Sequence, residues 1–307
     1  MRFAVETWSP DYGSPLAGDA LGDSDAPVGV DAEVPAAAWA PIRPAAEPAA
    51  SVLFVDGVER IDAWVWITGD DGVTRQGACA SWAAGAVRCD GKAEIVAAEV
   101  RRGVLCPGPV VDAIATRHGT YAAHPLEEGP GGDPVGQALG RARGDLEGRV
   151  AVEAAADLVV VDGPLGDARR IAGAVGYVKT HRVAYLPPEL QRVVGDLAPG
   201  ERTPLFSVGD RRFRWSWYLR LPGPATHPWW GVVRCEAAGD LDLAAATARA
   251  DLVTATLPRF ASAPHQDPRA PQNLHPIAGL ERELKRRLGD PLVLDRALRV
   301  AAGRPGR

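Results

Sequence analysis

DLVVVDGPL, residues 157–165, holds four consecutive apolar residues, Leu158 to Val161, and delivers Asp162 at their end with Gly163 behind it. A half-exposed strand alternates apolar and polar residues, so this uninterrupted run predicts a strand buried on both faces. An earlier segment repeats the design: SVLFVDG (51–57) is a short apolar run ending in Asp56-Gly57. In each, an Asp leaves the strand just before the residue whose backbone turns easily or lets a ligand approach closely. If the two strands are neighbours, Asp56 and Asp162 converge at one end of a sheet. Two carboxylates brought together repel, and a divalent cation between them relieves the repulsion. Magnesium or manganese, hard and oxygen-seeking, is the natural occupant, and a phosphodiester the natural substrate. The bland alternative is a pair of ordinary Asp-Gly turns, the commonest short hairpin signal. GPLGDARRI, which follows Asp162, is no two-residue hairpin return and weakens that alternative there.

Outward from these two segments the elements are mixed. IDAWVWITG (61–69) follows SVLFVDG after three residues and reads as a second, adjacent strand, and 73–89 supplies a third and room for a fourth. AEIVAAEVRRGVL (93–105) fits helix or strand equally. Gln137–Ala156, rich in Ala, Arg, Glu and Leu, reads as a helix, and GAVGYVKTHR (173–182) as a strand. RFRWSWYLRL (212–221), with alternating Phe213, Trp215, Trp217 and Leu219, forms a hairpin with WGVVRCEA (230–237). Residues 240–256 and 276–300 read as helices. The expected fold class is α/β, a mixed sheet flanked by helices with an N-terminal extension.

The charge is unevenly placed. Residues 1–50 hold eight acids and two basic residues, so they carry −6 of a net −5, and the remaining 257 residues are near neutral. Bulk charge therefore excludes a protein that is basic overall, and any anionic partner has to be met by local patches. Residues 35–50, with twelve Ala or Pro in sixteen positions, read as an extended connector. The expected division is residues 1–50 as N-terminal segment and linker, 51–300 as the main domain and 301–307 as a tail. No apolar run is long enough to span a membrane, and MRFAVETWSP lacks the apolar region of a signal peptide, which predicts a cytoplasmic protein. The four cysteines contain no C-x-x-C pair and read as reduced thiols. G-x-S-x-G, H-E-x-x-H and G-x-G-x-x-G are absent. GAVGYVKT is no phosphate loop, because Tyr177 and Val178 separate its second Gly from the Lys.

In order, FVDG, a helix containing Leu146-Glu147, LVVVDGPL, GYVKTH, the strand pair SWYLRL and VVRCE, and NLHPIAGLERE resemble the NurA nuclease family, over about Ser51 to Gly289. The resemblance implies a ribonuclease H-like fold and a Mn²⁺- or Mg²⁺-dependent deoxyribonuclease of the single-strand endonuclease and 5′–3′ exonuclease type. It also implies a homodimer that works in DNA end processing and repair with a HerA-like hexameric ATPase. Carried over by position, Asp56 and Asp162 match metal ligands, Glu147 the helix carboxylate, Lys179 the basic residue of the next strand, and Tyr218 the tyrosine of the hairpin. Asp145 and Glu153 compete with Glu147, and Glu283 competes with Glu281 as the last-helix ligand. Two departures stand out: Val58 occupies the place where the family commonly has Ser, and the last-helix residue is neither Asp nor His. Both motivate a second reading, a non-catalytic DNA-binding or adaptor protein that keeps the fold. An actin-like ATPase would need phosphate loops that GVERIDA does not supply.

In these roles the acids would hold one or two ions that activate water and stabilise the leaving oxygen. Lys179 would neutralise a phosphate oxygen, against a surface lysine as the plain alternative. Arg202, Arg211, Arg212, Arg214 and Arg220, interleaved with aromatics, suit a single strand, as do the ten basic residues of 259–307 against five acids. Arg214, Arg220, Arg269, Gln272 and Asn273 are the expected substrate contacts, the last three in the Pro-rich segment HQDPRAPQNLHP (265–276). A solvated Arg-rich surface and a capping loop are the plain alternatives.

Overall fold

FVDG does not turn. In the computed structural model Asp56 and Gly57 lie inside one continuous strand, Val52–Thr68, which merges the two strands expected at 51–57 and 61–69. A Cβ at Gly57 would collide with the Glu147 carboxylate and lie 2.8 Å from Arg143 Cγ, so those side chains would have to shift. The glycine thus answers a close approach within a strand and not a bend.

The structure describes residues 8, 10–12, 14–16, 21–69, 71–107, 112–126, 132–152, 156–166, 171, 173–210, 213–223 and 227–303. Arg211, Arg212, Glu153 and the end of the expected tail lie outside them. The strands are β1 (Gly22–Asp23), β2 (Val28–Gly29), β3 (Val52–Thr68), β4 (Thr74–Cys89), β5 (Ala93–Cys106), β6 (Ile114–Thr116) and β7 (Gly119–Pro125). After α1 (Pro134–Val152) come β8 (Leu158–Asp162), β9 (Ala174–Val178), β10 (Val183–Ala184), α2 (Pro188–Asp196), β11 (Phe206–Val208), β12 (Arg214–Arg220) and β13 (Val232–Ala238). Three helices close the chain: α3 (Leu243–Thr256), α4 (His275–Leu288) and α5 (Pro291–Ala302). The protein is mixed α/β, built on a large mixed sheet flanked by helices. Residues 93–105, open to either reading, are strand, and 73–89 is a single strand.

The chain divides into two compact units. The first comprises 1–54, 87–94 and 155–278, and its strands run in the order β2, β11, β12, β13, β9, β8. The expected hairpin is there: β12 pairs antiparallel with β13, with Trp217 opposite Cys235, and β13 pairs antiparallel with β9. β8 and β9 are parallel, with Asp162 aligned on Tyr177. Phe54, Val160, Val175, Tyr177, Trp217 and Val233 form a fully buried core with Ala246, Ala250 and Val253 of α3. Burying one such large side chain contributes about 1.5–3 kcal/mol. α3 starts where Asp242 caps Ala245 N at 2.8 Å. A second core gathers Trp39, Leu190, Val194, Phe206 and Tyr218. The Ala/Pro-rich stretch opens on a 3-10 turn at Ala36–Ala38 and is packed: Trp39 is buried, Ile42 pairs with Arg202, and Ala49 N donates to Thr256 Oγ1.

The second unit comprises 55–86, 95–154 and 279–307, with strand order β3, β4, β5, β7, β6. Val58 and Ala83 pack on Leu280, Leu284 and Leu288 of α4, so Val58 is a core residue. The single helix expected over 276–300 is two, because Gly289 takes φ 86°, Asp290 caps Leu292 N and Val293 N, and Pro291 opens α5. Cys79, Cys89, Cys106 and Cys235 are free, and burial raises the pKa of each. No helix among the described residues is long and apolar enough to cross a membrane.

Candidate active site

In the first unit β8 and β9 bring Asp162 and Lys179 together. Lys179 follows the end of β9, two residues beyond Tyr177, so the two side chains leave the same side of the chain. They hold consecutive residues of one loop: Tyr177 OH donates to Gln272 O at 2.6 Å, and Lys179 Nζ to Asn273 Oδ1 at 2.9 Å. Lys179 Nζ also donates to Asp162 Oδ2 at 2.7 Å, with side-chain exposures of 11% for the Lys and 15% for the Asp. Asn273 is fully buried, and its Nδ2 donates to Oδ2 of the buried Asp267 at 2.9 Å. Asp267 Oδ1 accepts from Arg269 N, and Gln272 Oε1 accepts from Trp8 Nε1. The chain Asp267–Asn273–Lys179–Asp162 is thus a fixed series of charge-assisted hydrogen bonds. At its end Asp162 Oδ1 is buried with no hydrogen-bond partner among the described residues. Buried polar atoms are seldom left so.

The turn after Asp162 is pinned as well. Gly163 N donates to Tyr177 O at 2.8 Å, and Leu165 N donates to Oε2 of the buried Glu236 at 3.0 Å. The same segment lies so close to β9 that a Cβ on Gly176 would strike Leu165 N and come within 2.9 Å of Leu165 Cα. Glu236 Oε1 accepts from Arg214 Nε at 2.7 Å and Arg234 Nη2 at 2.8 Å, and the Arg234 guanidinium lies 4.4 Å over the Tyr185 ring.

In the second unit Asp56 is buried and its Oδ1 accepts from Gly57 N at 2.7 Å. Glu147, on α1, meets FVDG at Gly57. Arg143, one turn earlier, donates to Glu147 Oε1 at 2.8 Å and Glu59 Oε2 at 3.0 Å. Burial works against the Arg143 charge, but Glu147, Glu59 and Asp56 outweigh it and raise its pKa. Arg143 is therefore a built-in counter-charge for Asp56 and Glu147, two of the expected metal ligands. Glu283 is claimed by its own helix: Arg286 and Arg287 bind it at 2.7 and 2.8 Å and hold its pKa down at about 2.

The expected aromatic and arginine contacts divide. Tyr218 is 2% exposed, stacked on Phe206 and flanked by His181 and Trp229, and burial pushes its phenol up to about 12. That ring offers no face to a base. Arg220 is 1% exposed and donates to the carbonyls of Trp230, Pro228 and Gly195, which corrects its reading as a substrate contact. Arg202 is likewise buried, held by both oxygens of Glu33 and by Asp251. Among the described arginines of this stretch, Arg202 and Arg220 are internal scaffolding, Arg220 because β12 is covered on both faces. Arg214 stays partly exposed, and Arg269 lies 5.0 Å over the Tyr12 ring. Gln272 and Asn273 are buried hydrogen-bonding residues of the loop.

Asp267, Glu236 and Arg143 were not singled out from sequence. Each sits in a stretch whose local pattern suggests only a loop, a strand or a helix, and part of what it holds lies far along the chain: Lys179 through Asn273, Leu165 N on Glu236, and Glu59 on Arg143. Among the described residues no group of three or more His, Cys, Asp or Glu side chains gathers to hold a metal. Magnesium and manganese are commonly held by one or two carboxylates, with water and substrate phosphate completing the shell. The unpartnered Asp162 Oδ1 fits such a ligand. No family model matches the chain, and no curated protein matches it.

Proposed function

We propose that the chain is a divalent-metal-dependent deoxyribonuclease with a ribonuclease H-like core, acting on DNA single strands and ends in repair. The observation that carries this reading is Asp162: a carboxylate at the end of a buried strand, with one oxygen on Lys179 and the other buried and unpartnered. Asp162 would hold a Mn²⁺ or Mg²⁺ ion, which when bound activates water and neutralises phosphate charge. Lys179 has one ammonium proton beyond those given to Asp162 and Asn273. It donates this proton to a non-bridging phosphate oxygen, where charge builds in the transition state. Asn273 and Asp267 fix the ammonium, so no reorganisation is needed at the moment of reaction. The resemblance names Asp56 and Glu147 as metal ligands too, a role that the Asp56 variant tests by itself. The resemblance to the NurA family in the order of its motifs supports the same activity, with a homodimer and a HerA-like translocase as partners.

The test is cleavage of single-stranded DNA with Mn²⁺ by wild type, Asp162→Asn and Asp56→Ala. Metal-dependent cleavage lost in both variants, with circular dichroism unchanged, is the expected result. Purified protein that cuts no DNA with any divalent metal, or variants with full activity, would overturn the reading.

One observation favours a second reading. Arg143 already neutralises Glu147 beside Asp56, which suits a DNA-binding or adaptor protein that has kept the fold without metal chemistry. Calorimetry with Mn²⁺ separates the two: heat lost in Asp162→Asn belongs to the nuclease, and DNA binding without any metal binding belongs to the adaptor.

A further inference from the structure

We infer that the cavity between β6 and α5, in the second unit, binds a small organic phosphate with an apolar body. The cavity measures about 240 Å³, and Arg117, Arg296, Ala297 and Val300 are among its lining residues. A single water needs roughly 10–15 Å³ by this measure, so the space suits a multi-atom ligand. Its two guanidiniums have no acidic partner among the described residues. Arg117 Nε donates to His118 Nε2 at 2.7 Å, which leaves its terminal nitrogens for a ligand. Asp295, the acid next to Arg296, is taken by Arg299 at 2.8 Å. Several other arginines of this unit do have acidic partners: Arg60 with Asp62, Arg75 with Asp71, Arg101 with Glu99, Arg143 with Glu59 and Glu147. Two unmatched guanidiniums on one cavity supply planar forks of donors, the geometry that recognises phosphate.

The other wall is apolar. Val300 is 55% exposed, and Ala297 lies one turn before it on α5. Thr116 cannot add a donor, because its hydroxyl already donates to Gly119 O at 2.8 Å. The last carbonyls of α5 make that end negative and disfavour an anion there. The ligand is thereby oriented, with its phosphate on Arg117 and Arg296 and its apolar body against Ala297 and Val300. None of the residues proposed for DNA cleavage takes part, so the site stands or falls independently of that reading.

Calorimetric titration of the full chain with phenyl phosphate, and separately with inorganic phosphate, tests this. The expected result is saturable binding of phenyl phosphate, about tenfold or more tighter than inorganic phosphate. Arg117→Ala and Arg296→Ala should each weaken it by about tenfold or more, the loss of one charge-assisted contact. Arg101→Ala, a paired surface arginine of the same unit, should bind as wild type. Both cavity arginines are solvent-accessible, so the alanine variants fold, as a circular dichroism spectrum will verify. Absence of binding at millimolar phenyl phosphate, equal affinity for inorganic phosphate, or arginine variants that bind as wild type would each overturn the inference.

Discussion

Lys179 Nζ lies 2.7 Å from Asp162 Oδ2, an ion pair in which neither side chain is more than 15% exposed. Breaking such a pair on one side leaves an uncompensated charge in a poorly hydrated place, which costs more than the pair itself contributes. Lys179→Ala strands the Asp162 carboxylate and should lower stability by about 3 kcal/mol. Asp162→Asn should cost less, because its amide oxygen still accepts the ammonium proton. Urea unfolding of the two variants measures the order. Equal losses would mean that the carboxylate is not held by Lys179 in solution.

Asn273 connects that pair to Asp267. Asn273→Ala removes the acceptor for Lys179 and leaves Asp267 Oδ2, in a residue 6% exposed, without the hydrogen bond from Asn273 Nδ2. An unsatisfied buried acceptor costs about 1–3 kcal/mol, so the midpoint of urea unfolding should fall. DNA cleavage should fall further than the loss of folded protein explains, since Lys179 is then free to wander. Cleavage that tracks the folded fraction alone would reduce Asn273 to a structural residue.

How far the sequence foretells this arrangement differs from element to element. β8 is legible because a strand covered on both faces needs an unbroken apolar run, and Leu158–Val161 is one. The β12–β13 hairpin is legible from alternation, but alternation misleads about exposure. Ser216, Tyr218 and Arg220 are as buried as Trp217 because β12 lies between β11 and β13 with cores on both faces. Asp56-Gly57 reads as a turn, yet the glycine answers the approach of Glu147 from far along the chain, which no local pattern carries. The Lys179–Asn273–Asp267 series joins residues 94 and 6 positions apart. A Pro-rich polar loop signals that it is a loop, but not that its buried Asn also meets Lys179 outside it. Leu-Gly-Asp-Pro at 288–291 does contain the break between α4 and α5: a C-terminal Gly, an N-cap and a first-turn Pro in succession.

Gly176 and Gly57 should respond differently to the same change. A Cβ at Gly176 meets the backbone of Leu165 and lies 3.1 Å from Gly163 O, so the turn behind Asp162 must move. A Cβ at Gly57 meets the side chains of Glu147 and Arg143, which can swing away. Gly176→Ala should therefore cost about 1–3 kcal/mol as overpacking, and Gly57→Ala less. If thermal unfolding shows Gly57→Ala as the worse of the two, the Glu147–Arg143 pair is more rigid than its chemistry suggests.

His181 gives the fold a pH dependence of definite sign. It is 3% exposed, packed between Tyr218 and Trp229, and its Nε2 lies 3.1 Å from Val232 O. A carbonyl only accepts, so Nε2 carries the proton of a neutral ring. Burial, opposed in part by that carbonyl and reinforced by Arg234, lowers its pKa from 6.5 to about 4. Below pH 6.5 the unfolded chain takes up a proton that the folded one refuses, so stability is full above that pH. It declines as pH falls toward 4 and changes no further from this group below it. The shift corresponds to a loss on the order of 3 kcal/mol. His181→Leu lowers stability at pH 7, because Val232 O loses its donor, and flattens the profile between pH 6.5 and 4. Unfolding midpoints measured across that window for both proteins decide it: parallel profiles would show that other groups set the acid response.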